Sequence, residues 1–365
     1  PPPAPLVGLG TTLRLAGDID GDGHSDLVAG APDSKAGAGA AVTSYGAPNV
    51  LRNGYALLEG ADHFGHAVAG VGDVDADGYA DIAIASGGTG RARGAVAIAL
   101  GSGGGPTAPT DAMAGMGDAD ERFGTSVAGA GDVDGDGHAD VLVGAPGAFS
   151  GAGRVYLVLG GPRWRSMSEL RAIRYESPEP DVGFGTVVAG VGDLDGDGFA
   201  DVAVGAPTHD RVYVFWGSRT GLQADQIARV MSPAGTGIRF GAAIAGLGDL
   251  DGDGSGELVV GAWGHERERG AVYLFEGMPD GISPVRGYAV PPDQGAGARF
   301  GWALSGPGDV DGDGLVDLVV GAPGAARGEG RAYVVFGSVA GFADRPLDVL
   351  RPLEGGSLSL GLSVL

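Results

Sequence analysis

The sequence predicts an all-β protein, a β-propeller of four-stranded blades with six full repeats and the start of a seventh. Three observations predict it. An acidic nine-residue frame, Asp-x-Asp-x-Asp-Gly-x-x-Asp or Glu, occurs six times, beginning at Asp18, Asp73, Asp132, Asp193, Asp249 and Asp309, with steps of 55, 59, 61, 56 and 60 residues. Nine residues before each start stands an apolar residue and a glycine: Leu9-Gly10, Phe64-Gly65, Phe123-Gly124, Phe184-Gly185, Phe240-Gly241 and Phe300-Gly301. After each frame come short β-branched and aromatic runs bounded by glycine, with no amphipathic helix between them.

The elements follow in order. Pro1–Pro5 reads as a Pro-rich linker, and residues 6–365 as a single propeller domain with repeats starting near 9, 64, 123, 184, 240 and 300, and partially at Leu360-Gly361. Within a repeat, the first strand runs toward the acidic frame. The second leaves it and ends in Gly-Ala-Pro or a variant, Ala85-Ser86-Gly87 in repeat two and Gly261-Ala262-Trp263 in repeat five. The third is "GRVYLVLG" at 153–160, "DRVYVFWG" at 210–217, "GAVYLFEG" at 270–277 and "GRAYVVFG" at 330–337. A weaker fourth segment closes the unit, for example Ile227–Met231 and Leu347–Leu350. The strand pattern excludes helical solenoids, and a stacked β-solenoid has a shorter repeat. Glycine at 75 residues and proline at 22 invite a low-complexity reading. Against it, 43% of residues are hydrophobic and the glycines recur in frame.

The net charge of −23 argues against nucleic acid, which needs a basic patch. No apolar run is long enough for a spanning helix, so no membrane insertion by this chain is expected. With no cysteine, disulfides, thiolate metal sites and cysteine nucleophiles are excluded.

The spacing of the carboxylates points to calcium. Acidic side chains at positions 1, 3, 5 and 9, a backbone carbonyl at 7 and glycine at 6 for the sharp turn make a loop of hard oxygen ligands. The expected ligands are Asp18, Asp20, Asp22 and Asp26; Asp73, Asp75, Asp77 and Asp81; Asp132, Asp134, Asp136 and Asp140; Asp193, Asp195, Asp197 and Asp201; Asp249, Asp251, Asp253 and Glu257; and Asp309, Asp311, Asp313 and Asp317. Repeat two has Ala76 at position 4 where the others have glycine. About six Ca2+ ions are expected, one per loop. The loops use 24 of the 46 acidic residues, and the remaining 22 nearly balance the 23 Lys and Arg; six calcium ions bring the net charge from −23 to −11. Position 7 (His24, Tyr79, His138, Phe199, Ser255, Leu315) varies in chemistry, which suits a main-chain ligand and argues against a role for His24 or His138. An EF-hand is excluded, because position 12 is apolar or alanine in every copy and the flanks are strands.

Phe-Gly, the acidic loop and Gly-Ala-Pro together resemble the FG-GAP repeat, and the chain is similar to the β-propeller at the head of integrin α subunits and to its bacterial relatives. The resemblance implies strand one at Phe-Gly, structural calcium between strands one and two, and a ligand face opposite the calcium loops. It implies a calcium-binding extracellular binding or adhesion module, secreted or on the cell surface, with a protein or glycan ligand. Loops 88–94, 264–270 and 324–330 would form that face, with Arg91, Arg93, Arg267, Arg269 and Arg327, and Arg122, Arg239 and Arg299 before the Phe-Gly pairs. Acidic Asp120, Glu121, Glu266, Glu268 and Glu329 mingle with them, as on a solvated mixed-charge rim. Trp263 is the expected ligand contact, Trp302 and Trp216 are expected to pack inside, and Trp164 lies in a loop. The alternative is the propeller of a polysaccharide-degrading enzyme or a lectin. The six His recur in no motif, no Gly-x-Ser-x-Gly or His-Glu-x-x-His is present, and the patterned carboxylates belong to calcium, so no catalytic residue is assigned.

Overall fold

The computed structural model describes residues 6–47, 50–87, 93–109, 113–114, 120–162, 172–179, 183–290, 295–342 and 348–350. The linker, Arg91, Trp164, Leu347 and the partial repeat at Leu360-Gly361 fall outside them. The chain divides into two compact units, Pro1–Val188 and Ala189–Leu365.

In the first unit, β1 (Thr12–Gly17), β2 (Asp26–Ala31), β3 (Ala40–Ala47) and β4 (Val50–Glu59) pair in sequence order. The next sheet is β5 (Ala67–Gly72), β6 (Asp81–Ser86), β7 (Ala95–Ala99) and β8 (Met113–Ala114). A third contains β9 (Ser126–Gly131), β10 (Asp140–Ala145), β11 (Arg154–Val158) and β12 (Ala172–Glu176). The second unit repeats the plan. Its first sheet is β13 (Val187–Gly192), whose first two residues fall in the first unit, with β14 (Asp201–Ala206), β15 (Arg211–Phe215) and β16 (Ala228–Met231). Next come β17 (Phe240–Gly248), β18 (Glu257–Ala262) and β19 (Ala271–Met278), which pairs with both β20 (Gly281–Ile282) and β21 (Gly287–Ala289). The last sheet holds β22 (Ala303–Gly308), β23 (Asp317–Ala322), β24 (Arg331–Val335) and, after the small hairpin β25 (Gly337–Ser338) and β26 (Gly341–Phe342), β27 (Asp348–Leu350). These six antiparallel sheets are the blades of a β-propeller fold. Among the described residues, no helix is long and apolar enough to cross a membrane. The helical pieces are four-residue turns with two successive left-handed residues, as at Glu266-Arg267.

The second strands β10, β14 and β18 are buried throughout and read as unbroken apolar runs. In three blades the Phe of the pair enters the core against a third-strand tyrosine: Phe123 on Tyr156 (5.0 Å between ring centres), Phe240 on Tyr273 (5.9 Å) and Phe300 on Tyr333 (5.4 Å), all edge-on. Trp216 is buried, as expected.

Strand one begins later than the resemblance implies. It starts two or three residues after Phe-Gly in four blades and at Phe240 only in the fifth. The Phe instead makes an isolated parallel bridge to the glycine that opens the preceding blade's third strand: Gly39 with Phe64, Gly153 with Phe184, Gly270 with Phe300. The pair therefore staples one blade to the next before its own strand begins.

The two glycines of the motif meet. A Cβ on Gly30 would lie 2.0 Å from the Gly65 carbonyl oxygen, one on Gly144 2.1 Å from that of Gly185, and one on Gly261 2.3 Å from that of Gly301. The glycine of Gly-Ala-Pro is thus required by backbone approach from the following Phe-Gly. Gly144→Ala should lower unfolding free energy by about 1–3 kcal/mol, the usual cost of overpacking, measured by denaturant melts against the wild type.

Candidate metal centres

Every acidic frame lies between a blade's first and second strands, where the resemblance puts it. The six loops share one hydrogen-bond scheme. The position-1 aspartate accepts the backbone N–H groups of positions 5 and 6, one on each oxygen: Asp18 from Asp22 (3.0 Å) and Gly23 (2.7 Å), Asp193 from Asp197 (3.1 Å) and Gly198 (2.8 Å), and likewise Asp73, Asp132, Asp249 and Asp309. The position-5 aspartate accepts the N–H of position 7, as Asp136 does from His138 (3.0 Å); Asp22, Asp77, Asp197, Asp253 and Asp313 do the same. These bonds curl the chain. Positions 4 and 6 are left-handed throughout, and Ala76 (φ 57°) is the one non-glycine at position 4.

The curl gathers the carboxylates. Asp18, Asp20 and Asp22 can each offer one oxygen with all three within 4.8 Å of one another, as can Asp132, Asp134 and Asp136; Asp193, Asp195 and Asp197; and Asp249, Asp251 and Asp253. In loop two the trio is Asp73, Asp75 and Asp81, and one further such group is present among the described residues. In loop six, Asp309, Asp311 and Asp313 are exposed and follow the same hydrogen-bond scheme.

Position 9 has a second task that spacing did not reveal. Asp26, Asp81, Asp140 and Asp201 are fully buried and Asp317 nearly so. One oxygen of each accepts the N–H of position 2 across the loop: Ile19, Val74, Val133, Leu194 and Val310 donate at 2.7–2.9 Å. The other accepts from a glycine at the end of strand three: Gly46, Gly101, Gly160, Gly217 and Gly337. The signal was present in the glycines that close "YLVLG" and its counterparts, but they read only as strand ends.

Loop five departs. Gly277 donates to the Gly256 carbonyl (2.9 Å) instead of to Glu257. Glu257 Oε2 takes the Leu250 N–H (2.6 Å), and Oε1 is buried without a hydrogen-bond partner. Arg286 donates to Asp251 Oδ2 at 2.7 Å and lies 3.2 Å from Glu276 Oε1, so a cation already stands beside this loop. Only the folded structure brings residue 286 there.

Calcium fits these residues. A hard cation needs several oxygens from a flexible cage, and the loops supply convergent carboxylates, with the buried Glu257 oxygen lacking any other donor. With no ion beside them, Asp81, Asp140, Asp201 and Glu257 are pushed up to about 7, chiefly by burial and further by the carboxylates at positions 1 and 3; their backbone hydrogen bonds oppose the shift.

The proposed ligand face is partly of another character. Glu121 is fully buried, accepting from Tyr156 Oη and lying 3.5 Å from Arg154 Nη1, so it belongs to an interior network and not to a solvated rim. Trp302 is half-buried against Trp263 and not a core residue.

The FG-GAP repeat family model matches residues 10–43, 123–158 and 300–335, and an FG-GAP-like repeat model matches 193–260. The chain is 35% identical over 177 residues to integrin alpha-5 of Xenopus laevis, covering 43% of this chain and 16% of that protein. It is 38% identical over 159 residues to integrin alpha-IIb of Mus musculus, covering 40% and 15%, and 37% identical over 180 residues to integrin alpha-X of Homo sapiens, covering 44% and 14%. The matched stretches thus take in about a sixth of these relatives' length. Among solved structures, candidate 6-phosphogluconolactonases from Bacteroides uniformis (TM-score 0.56, 14% identity, 94% of this chain and 86% of that one) and Bacteroides fragilis (0.54, 16%, 92% and 86%) share the fold. At such identity the likeness concerns fold alone.

Two predictions follow from the loop geometry. Ala76→Gly relieves a left-handed residue with a Cβ and should stabilise the protein by about 0.5–1 kcal/mol net of glycine's greater unfolded-state entropy, read as a raised melting temperature. Asp81, Asp140, Asp201 and Glu257 titrate higher in the ion-free fold than in the unfolded chain. Their favourable contribution is therefore full below about pH 4 and lost as pH rises through about 7. In chelator, melting temperature should fall from pH 5 to pH 8; in millimolar calcium that slope should flatten.

Proposed function

We propose that this chain, an FG-GAP repeat protein resembling the integrin α subunits, is a calcium-binding extracellular module for binding or adhesion. The observation that carries this is the gathering of loop carboxylates within 4.8 Å of one another, in one frame repeated around the blades. Positions 1, 3, 5 and 9 would hold the ion, with the ligands named for the six loops. Bound calcium would supply positive charge where the loops concentrate negative charge, and so favour the folded loop. The chain's own residues do the rest: position 1 curls the loop, and position 9 ties it to the third strand.

Calcium modules outside cells work at roughly 10⁻⁴–10⁻³ M affinity, which suits exposed loops closed by backbone bonds. A secreted or surface setting and a protein or glycan partner are part of this reading. A non-catalytic role is supported by the likeness to integrin α subunits, which are not enzymes.

Calorimetric titration of calcium into chelator-treated protein, with melts alongside, tests the proposal. Uptake of about six ions with a marked rise in melting temperature is expected. Absence of both uptake and stabilisation would sink it. Loop five should be the weakest site, because Arg286 competes for Asp251, and Arg286→Gln should tighten it by about tenfold or less.

A further inference from the structure

One frame position carries a feature that neither the loops nor the core uses. The residue immediately before each Phe-Gly or Leu-Gly pair is left-handed in all six repeats: Gly8 (φ 74°), His63 (60°), Arg122 (54°), Gly183 (64°), Arg239 (62°) and Arg299 (59°). Glycine adopts this conformation at no steric cost, and two repeats use it. The other four carry a large side chain there, and each is an arginine or histidine. Backbone strain kept at a fixed place, always with a cationic or protonatable group, points to a task for that group.

In the second unit, two of these arginines flank an indole pair. Trp263 stands where other repeats have the proline of Gly-Ala-Pro, just past β18, and Trp302 follows Phe300-Gly301. Their rings are 5.1 Å apart and tilted by 43°. The Arg239 guanidinium lies 5.8 Å from the Trp263 ring; that of Arg299 lies 5.6 Å from Trp263 and 5.7 Å from Trp302. Both indoles are half-buried and Arg239 is exposed. The backbone under them is pinned: Gly264 N–H donates to Ile238 (2.9 Å), Arg299 N–H to Glu268 (2.7 Å) and Trp302 N–H to Arg299 (3.2 Å). Arg299 also gives its Nε to Glu268 Oε2 at 2.8 Å.

A guanidinium over a ring face uses its π surface there and none of its N–H donors for that contact. The set thus offers an apolar platform rimmed by forked donors. A pyranose packs its C–H face on indole, and a carboxylate takes a guanidinium two-handed. A neutral sugar would use only half of this, and an acidic peptide lacks the flat apolar face. The chain's large negative charge is no obstacle, since much of it sits in loops at the other end of β18, about 20 Å away by strand length.

We propose that Trp263, Trp302, Arg239 and Arg299 form a binding site for a uronate residue of an acidic saccharide. This rests on reading the chain as a binding module. The test titrates the calcium-loaded chain with a hexasaccharide of alternating glucuronate and N-acetylglucosamine, followed by tryptophan fluorescence and calorimetry. The neutral N-acetylglucosamine hexamer and a glutamate-rich peptide serve as comparators. The uronate saccharide should bind about tenfold or more tightly than the neutral one, and Trp263→Ala and Arg239→Gln should each weaken it about tenfold while leaving the calcium-dependent melting temperature unchanged. No binding, equal binding of the neutral hexamer, preference for the peptide, or binding indifferent to both substitutions would overturn the site. Melts of the same samples with and without calcium report separately on the calcium reading.

Discussion

The structure depends on a buried carboxylate at the ninth place of each acidic loop. In five blades it bonds one backbone N–H near the loop's start and another at the end of the third strand, so one side chain fixes three separated stretches of chain. These bonds close the loop, bring the other carboxylates together and hold the third strand's end against the second. Burial of an anion on this scale is unfavourable by itself. The two backbone donors offset part of that cost, and a nearby divalent cation would offset much of the rest.

The acidic loops and the glycine contacts solve opposite problems. Within a blade, like charges are forced close and must be compensated. Between consecutive blades, neutral backbones are brought so close that no Cβ fits, and removal of side chains is the compensation. The first ties the fold to charge compensation, and the second leaves no room for a Cβ at Gly30, Gly144 or Gly261.

The blade plan and the loops were legible because both are periodic. Alternating aspartates in one frame specify a curled loop wherever they occur, and short β-branched runs between glycines specify strands. What escaped was what depends on the third dimension. The resemblance put strand one at Phe-Gly, yet the backbone of Phe64, Phe184 and Phe300 pairs with the preceding blade. Arg286 lies 35 residues from Asp251, in a segment with no motif. Glu121 looked like rim charge among polar neighbours until folding set it beside Tyr156 and Arg154. The sign of φ at Arg239 and Arg299 leaves no mark in residue type, since glycine's absence there is what makes it informative.

The parallel bridge from Phe64, Phe184 and Phe300 to the previous blade's third strand means that the sequence repeat and the structural blade are out of phase at these seams. A repeat copied in the genome carries the joint to its neighbour along with its own strands. Duplication of such a unit inserts a ready-made hinge pin on one side and a matching socket on the other. Arrays of different lengths can therefore grow from one ancestral segment without redesign of the seams, much as a chain gains links that are already clasped.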